Sequence, residues 1–497
     1  MNRRDFLRTA AAAPAALANP QAASRPNFLF IFCDDMGWGD LPSYGHANTV
    51  AHGGWTVRGD LKMPHTDRLA KEGTRFTQFY VASAVCSPSR AGIMTGQFPS
   101  RLGIHDYLAT PEQNRRHGVA DYLDPKTPTV TRLLQQSGYA TGHFGKWHLG
   151  SGNAAPAPEQ YGINRYDACM KNGRVRSSET IATEAISFLE QNRSQPFFLN
   201  AWLYDPHSPL QPTEEMMEPY KSLGTGWVGH RGAMEIYYGV LTNMDHHIGR
   251  MLDKLDQLGL AENTVVMLSS DNGPESGLIP FVSHYGGAAT AGPFRGIKRS
   301  LYEGGIRTPF TVRWPGRTPA GKVDDASVIG GVDFLPTVCG LTGLNAPATD
   351  GENCADALQG KPRTRRKPLF WENRFPVYGH LLDKSAKGHE ARLQTDEELR
   401  LKPRGAGSVL RVFLKSPMLA SRNRNWKLLM NPDRSRLELY DIPRDPTEMN
   451  NQAAAHPQIV KSMSARLMAW QKELPKGYVD PAAGKSNYPW PKPIESR

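Results

Sequence analysis

Only five cysteines occur in the 497 residues, Cys33, Cys86, Cys169, Cys339 and Cys354. Their spacings fit neither a disulfide framework nor a zinc pattern, which excludes a small cystine-stapled fold and a structural zinc module. The odd count leaves at least one unpaired; Cys339 and Cys354 could pair, and Cys33, ending an apolar run, reads as a buried core thiol. No run of 18 apolar residues occurs, so no transmembrane helix is expected. No internal repeat is visible. An acidic excess is also missing: the formal net charge is +11, and +9 once Arg3, Arg4, Arg8 and Asp5 leave with the first 18 residues. A positive field attracts nucleic acid, anionic lipid or a sulfated or phosphorylated substrate. On charge alone, basic residues scattered over a surface mean only solubility.

The N-terminus is more specific. Twin arginines in Asn2-Arg3-Arg4-Asp5-Phe6-Leu7-Arg8 precede an Ala-rich stretch, and Ala16-Leu17-Ala18 offers a small-x-small cleavage site. The order resembles a twin-arginine export signal over residues 1–18, with no lipid-anchoring cysteine after it. This predicts passage through the twin-arginine machinery to a periplasmic or extracellular location in a bacterium.

Beyond it, short apolar runs alternate with helical patterns, the mark of an α/β fold with a largely parallel sheet. Phe28–Phe32, Phe76–Val81, Tyr139–Phe144, Phe197–Tyr204, Thr264–Ser270 and Pro309–Trp314 read as strands. Glu235–Leu258 carries apolar residues at the spacing of one helical face. Asp245, His246 and His247 within it read as a solvated or core-edge patch rather than a metal site. From about Gln359 the alternation fades, with a basic cluster at residues 361–367 and a polar stretch at 384–407 that reads as an insertion or surface loop. Val409–Leu414, Trp426–Met430 and Leu437–Tyr440 then read as strands and Pro457–Leu474 as a helix, a small antiparallel unit. The predicted division is a catalytic domain over 26–365 and a smaller subdomain over 366–497.

Ligands of open α/β sheets bind outside the carboxyl ends of the strands. There the predicted strands lead to Asp34-Asp35, Lys146-Trp147-His148, Asp205-Pro206-His207 and Asp271-Asn272. Three carboxylates and an amide are hard oxygen ligands, suited to Ca²⁺ or Mg²⁺ rather than zinc. Lysines and histidines beside them suit a tetrahedral anion and proton transfer. Cys86 stands at a predicted helix N-terminus, before Pro88 and Ser89, where amides favour anions. From the residues alone it is either a thiolate nucleophile of low pKa or an inert buried thiol.

The segment Cys86-Ser-Pro88-Ser-Arg90-Ala-Gly-Ile-Met-Thr95-Gly96 resembles the signature of the formylglycine-dependent type I sulfatases, in which this cysteine is oxidised to 3-oxoalanine. Asp34-Asp35-Met-Gly-Trp-Gly-Asp40, Gly145-Lys146-Trp-His148-Leu-Gly150, Pro206-His207-Ser-Pro209, Ser270-Asp271-Asn272-Gly273 and Arg295-Gly-Ile-Lys298 follow the family pattern in order. The similarity leans to the arylsulfatase A and N-acetylgalactosamine-6-sulfatase branch. It implies an alkaline-phosphatase-like large mixed sheet between helices, with a small C-terminal antiparallel sheet.

The resemblance also implies roles. Asp34, Asp35, Asp271, Asn272 and modified residue 86 would hold one Ca²⁺, with Mg²⁺ the less favoured ion. Arg90 would hold the hydrated aldehyde and Lys146 the sulfate. His207 and Lys298 would act at the leaving oxygen, and His148 would be the base that releases sulfate from a residue-86 sulfate ester. A formylglycine-generating enzyme is the implied maturation partner, and a sulfated carbohydrate or aryl sulfate the implied substrate. No nucleic-acid partner and no stable membrane anchor are expected. Arg299 departs from the family's usual glycine; it would contact substrate or point outward. The rivals are a phosphodiesterase or phosphonate monoester hydrolase of the same superfamily and a non-catalytic binder of sulfated glycans. Specificity is expected in loops 55–62, 107–121, 209–230, 275–293 and 371–380.

Overall fold

The computed structural model describes residues 25–45, 61–150, 154–170, 177–223, 233–275, 289–375, 416–481 and 483–485. The export signal, the 384–407 stretch and the strand expected at 409–414 lie outside them, as do parts of four of the five specificity loops.

Nine strands build the large sheet: β1 (Asn27–Cys33), β2 (Thr74–Tyr80), β3 (Ala140–Gly145), β4 (Arg165–Asp167), β5 (Phe197–Trp202), β6 (Thr264–Ser270), β7 (Arg307–Arg313), β8 (Lys322–Asp324) and β9 (Ile329–Gly330). Their order is β4-β3-β5-β1-β6-β7-β2-β8, with β9 beside β2. The five strands from β4 to β6 are parallel, and β7 runs antiparallel to both β6 and β2. Every residue of β1 is buried. Its side chains alternate between two cores: Phe28, Phe30 and Phe32 face one, and Leu29, Ile31 and Cys33 the other. That is the period-2 pattern of a strand covered on both faces, which is why it reads as a continuous apolar run.

The second core is closed by helices Ser177–Gln191 and Ala233–Gln257, which bring Ile181, Phe188, Leu241, Met244 and Ile248. Helices Cys86–Thr95 and Phe334–Thr342 close the first. Onto the same core packs a four-stranded antiparallel sheet, β10 (Leu369–Glu372), β11 (Leu419–Asn423), β12 (Trp426–Met430) and β13 (Glu438–Asp441), with helix Pro457–Lys472. The expected mixed, mostly parallel sheet with a small antiparallel one is therefore what forms. No helix among the described residues is long and apolar enough to cross a membrane.

Two open local readings are decided. Cys339 and Cys354 do not pair: all five cysteines are free and buried, with Cys354 Sγ 3.6 Å from Asp333 Oδ2. The Asp245 patch lies at the core edge, as one of its two readings has it, with Asp245 and His247 buried and His246 exposed. Asp245 is 1% exposed, and its two oxygens accept from the amides of Thr66 (2.7 Å) and His65 (3.0 Å), closing the first turn of helix Pro64–Glu72.

Candidate active site

Four neighbouring parallel strands, β3, β5, β1 and β6, end side by side, so the loops after them meet although their sequences are far apart. Asp34 follows β1 and donates its amide to Asp205 O, after β5, at 3.2 Å. Asp35 takes a left-handed conformation (φ 67°), which Asp and Asn tolerate better than most residues. Its amide donates to Asp271 Oδ1 at 3.1 Å, and Asn272 Nδ2 donates to Asp35 Oδ1 at 2.7 Å. Gly145 ends β3 at φ 106°, and a Cβ there would lie 2.0 Å from Trp202 O, so only glycine lets the Lys146 loop leave the sheet here. Gly273 meets Gly304 as closely, which seats the Lys298 segment against the Asp271 loop.

Cys86 opens the helix Cys86–Thr95, as the sequence predicts, and is 2% exposed. Ligand atoms of Asp34, Asp35, Cys86 and His207 all lie within 4.8 Å of one another. Three buried cations surround them. Lys146 Nζ bridges both oxygens of Asp34 at 2.8 and 2.7 Å, and Lys298 Nζ reaches Asp35 Oδ2 at 2.7 Å. Arg90 Nη2 lies 2.6 Å from Asp271 Oδ2 and 3.4 Å from Asp34 Oδ1, with its guanidinium packed on the Phe32 and Trp202 rings. Burial acts to raise the Asp34 pKa, yet Lys146, His207 and Arg90 hold it well below the usual carboxylate range. Burial pushes the Cys86 thiol up to about 12 despite Lys146 and Lys298, so the reading of an unmodified thiolate nucleophile is not supported.

The two histidines differ in which nitrogen is committed. His148 Nε2 lies 2.9 Å from the Leu108 carbonyl, which can only accept, so Nε2 carries the proton. Its Nδ1 is then a lone pair, and this buried atom has no partner. Leu108 also donates its amide to Ser87 Oγ at 2.9 Å, tying this histidine to the Cys86 helix. In His207 it is Nδ1 that faces a carbonyl, Ser208 O at 2.5 Å, while Nε2 lies 3.6 Å from Asp35 Oδ2. Burial lowers its pKa to about 4, against the pull of Asp35 and Asp34.

The donor set fits a hard divalent cation. Asn272 Oδ1 is buried without a hydrogen-bond partner, an acceptor with nothing to accept. With Asp34, Asp35 and Asp271 it supplies four oxygen donors beside residue 86, the chemistry of a calcium or magnesium site. All ten sequence-predicted positions are thus brought together. One participant was missed: buried Glu275 lies 3.6 Å from Lys298 Nζ and takes Arg299 Nη1 at 2.7 and 2.8 Å. Arg299 therefore neither points outward nor stands free. Nothing in the spacing marks Glu275, which begins a loop of otherwise unremarkable polarity.

The family model described as Sulfatase matches residues 26–344. The chain belongs to the sulfatase family. Bovine (Bos taurus) arylsulfatase A is 30% identical over 409 residues, covering 73% of each chain. An N-acetylgalactosamine-6-O-sulfatase of Bacteroides thetaiotaomicron is 25% identical over 544 residues, covering 90% of this chain and 94% of its own. Among solved structures, Ps i-CgsB in complex with k-i-k-neocarrahexaose superposes with a TM-score of 0.70 at 21% identity, over 92% of this chain and 96% of that one. That likeness establishes the alkaline-phosphatase-like fold. As a sulfatase, the protein is a sulfuric ester hydrolase.

Proposed function

We propose that this sulfatase is exported to the periplasm or beyond and removes sulfate from a sulfated carbohydrate, using formylglycine made from Cys86. The observation that carries the reading is residue 86 at a helix start, its side chain within 4.8 Å of Asp34, Asp35 and His207 and flanked by Lys146 and Lys298. The relatives that act on N-acetylgalactosamine sulfate support a sugar substrate. The twin-arginine pattern supports export, and the motif sequence supports a catalytic domain over 26–365 with a smaller subdomain over 366–497.

Asp34, Asp35, Asp271 and Asn272, with residue 86, would hold one Ca²⁺. When bound, the ion supplies positive charge that stabilises oxyanions and acidifies a hydroxyl. Lys146 then binds the sulfate group by charge, Lys298 offsets the charge growing on the leaving oxygen, and Arg90 holds the hydrated aldehyde of residue 86. The aldehyde hydrate attacks sulfur and expels the alcohol. His207 is the proton donor to that alcohol; burial keeps it neutral in the free enzyme, and the negative sulfate brought beside it favours its protonation. The lone pair on His148 Nδ1 takes the proton of the remaining hydroxyl, so that sulfate leaves and the aldehyde returns. A serine has no second hydroxyl and would stop at the ester.

Peptide mass spectrometry of active protein should find residue 86 as the aldehyde or its hydrate. Full activity with only the thiol present refutes the mechanism. The same preparation should turn over an aryl sulfate far faster than aryl phosphate mono- and diesters; the reverse preference makes it a phosphoester or phosphonate hydrolase of the same fold. Cys86→Ser should fold and lose turnover.

A further inference from the structure

A cleft of about 520 Å³ lies at the edge of the large sheet. The chain between β8 and β9 leaves β2 there, and the β11–β12 turn and the segment after β13 line it as well. No residue of the candidate catalytic centre lines it. Five arginines do, Arg307, Arg363, Arg365, Arg422 and Arg424, against the single carboxylate of Asp325. Three of them are matched to acids elsewhere: Arg307 to Glu303 at 3.1 Å, Arg363 to Glu352 at 2.5 Å, and Arg365 to Asp333.

Arg422 is different. It is 1% exposed, yet its donors reach only neutral acceptors, Gln78 Oε1 at 2.8 Å and Asn425 O at 3.2 Å, and its Nε has no partner. Among the described residues no carboxylate lies within ion-pair distance of it. Arg365, also buried, leaves Nε and Nη2 without partners on the same cleft. Two residues on from Arg422, Arg424 is exposed at the turn, with φ 52° at a position that favours glycine. The acid whose charge Arg422 feels, Glu303, is ion-paired to Lys427 and Arg307, so the buried guanidinium has no carboxylate of its own, and an anion in the cleft is the partner that offsets its burial. The planar fork of arginine suits the paired oxygens of such an anion.

We propose that this cleft is an oxyanion-binding site separate from the catalytic centre. It takes a sulfate, phosphate or carboxylate group, with Arg422 as its buried charge and Arg424 as its exposed arm. The oxyanion is either a free ion or a group carried on a glycan chain. The proposal does not depend on which ester the catalytic centre hydrolyses.

The full-length chain carrying Cys86→Ala, which turns nothing over, is titrated calorimetrically with inorganic sulfate and, separately, with a sulfated glycosaminoglycan hexasaccharide. Adding Arg424→Glu should weaken one probe or both by about tenfold or more. Loss for the hexasaccharide alone assigns the site to glycan-borne groups, loss for inorganic sulfate alone to a free ion, and loss for both to the group whatever carries it. Unchanged affinity for both overturns the proposal. With Cys86 intact, Arg424→Glu should leave hydrolysis of a small aryl sulfate unchanged. Because Arg422 is buried and its replacement could unfold the chain, the second test uses unaltered protein. Crystals soaked in selenate should show an anomalous selenium peak between Arg422 and Arg424, and selenium at the catalytic centre alone refutes the site.

Discussion

Two buried clusters of charge flank the segment from Arg295 to Arg307, and they differ in what their oxygens lack. At the strand ends, Asp34, Asp35 and Asp271 meet Lys146, Lys298 and Arg90. At the junction with the small sheet, Lys427 bridges Glu303 (2.9 Å) and Glu448 (2.8 Å), Arg307 joins Glu303, and Arg436 joins Glu438 at 3.1 Å. The junction adds neutral donors: Tyr80 to Glu303 at 2.7 Å, Tyr302 to Glu438 at 2.9 Å, and the Glu303 amide to Glu448 at 2.7 Å. Its carboxylates are thus supplied from the chain itself. The strand-end cluster instead crowds acceptors together, with Asn272 Oδ1 left bare. An excess of acceptors calls for an added cation, whereas matched acceptors and donors make an internal strut. The tally of charges is the same, three carboxylates to three cations; the bare Asn272 Oδ1 sets the strand-end cluster apart as the candidate for an added cation, because Glu448 Oε1 at the junction has Lys427 Nζ at 2.8 Å.

The largest test of that distinction is Asp35→Asn. Asparagine tolerates the left-handed backbone and keeps the volume, so the fold should survive while kcat falls by at least about a thousandfold, the worth of several kcal/mol of metal-derived stabilisation. Chelation of the unaltered enzyme should do the same, and full activity after exhaustive chelation refutes a required ion. Lys427→Met should act on the other side of the comparison. It leaves two buried glutamates without their shared cation, so denaturant unfolding should show a loss of about 3–5 kcal/mol. The folded fraction should keep its turnover per molecule. A variant that stays stable but loses turnover would make the junction part of the active site.

Asp34, Asp35, His207, Asp271 and Asn272 were legible in the sequence because their loops follow apolar strand-like runs, whereas Arg90 and Lys298 were legible only through the family resemblance; the strand order that brings the loops together was not. Nor was the junction. Lys427, Glu438 and Glu448 lie in short strands and turns whose composition looks solvated, and their pairing depends on how the small sheet docks. Of the two readings of Arg299, the outward one fails for the same reason: its direction is set by Glu275, and no local spacing tells where a side chain finds its acid. The Cys339–Cys354 bridge was left open because a sequence gives no information on side-chain direction.

Within the active site, the two histidines give a finer test. His148→Ala should lower steady-state turnover by about a hundredfold while leaving a rapid first release of alcohol, with sulfate retained on residue 86 in the intact mass. His207→Ala should instead slow that first release, most for sugar sulfates and least for aryl sulfates whose phenolate leaves readily. Accumulation of the sulfated form in His207→Ala and its absence from His148→Ala would reverse the two assignments.

The smallest effect belongs to the junction. Burial, opposed by Lys427 and reinforced by the charge of Glu303, pushes Glu448 up to about 7. Burial also acts to raise Glu303, but Lys427, Arg307 and Arg422 hold it down to about 2. Between about pH 4.5 and 7 the folded protein therefore keeps a proton on Glu448 that the unfolded chain gives up. The stability tied to that proton is complete below the unfolded value and is lost as pH rises through the folded one. Glu303 works in the opposite sense at lower pH, its contribution being present above about 4.5 and lost on acidification towards about 2. Glu448→Gln mimics the protonated form and cannot titrate. Relative to the unaltered protein, its melting temperature should rise between pH 5 and pH 8, by on the order of 1–3 °C for a chain of this size. If the Glu448→Gln difference is flat across that interval, Glu448 is ionised in the folded protein, and Lys427 and Arg307 together neutralise the two glutamates. The strut would then be balanced by ionised groups on both sides, Glu303, Glu448 and Glu438 against Lys427, Arg307 and Arg436, as the strand-end cluster is by its own three pairs.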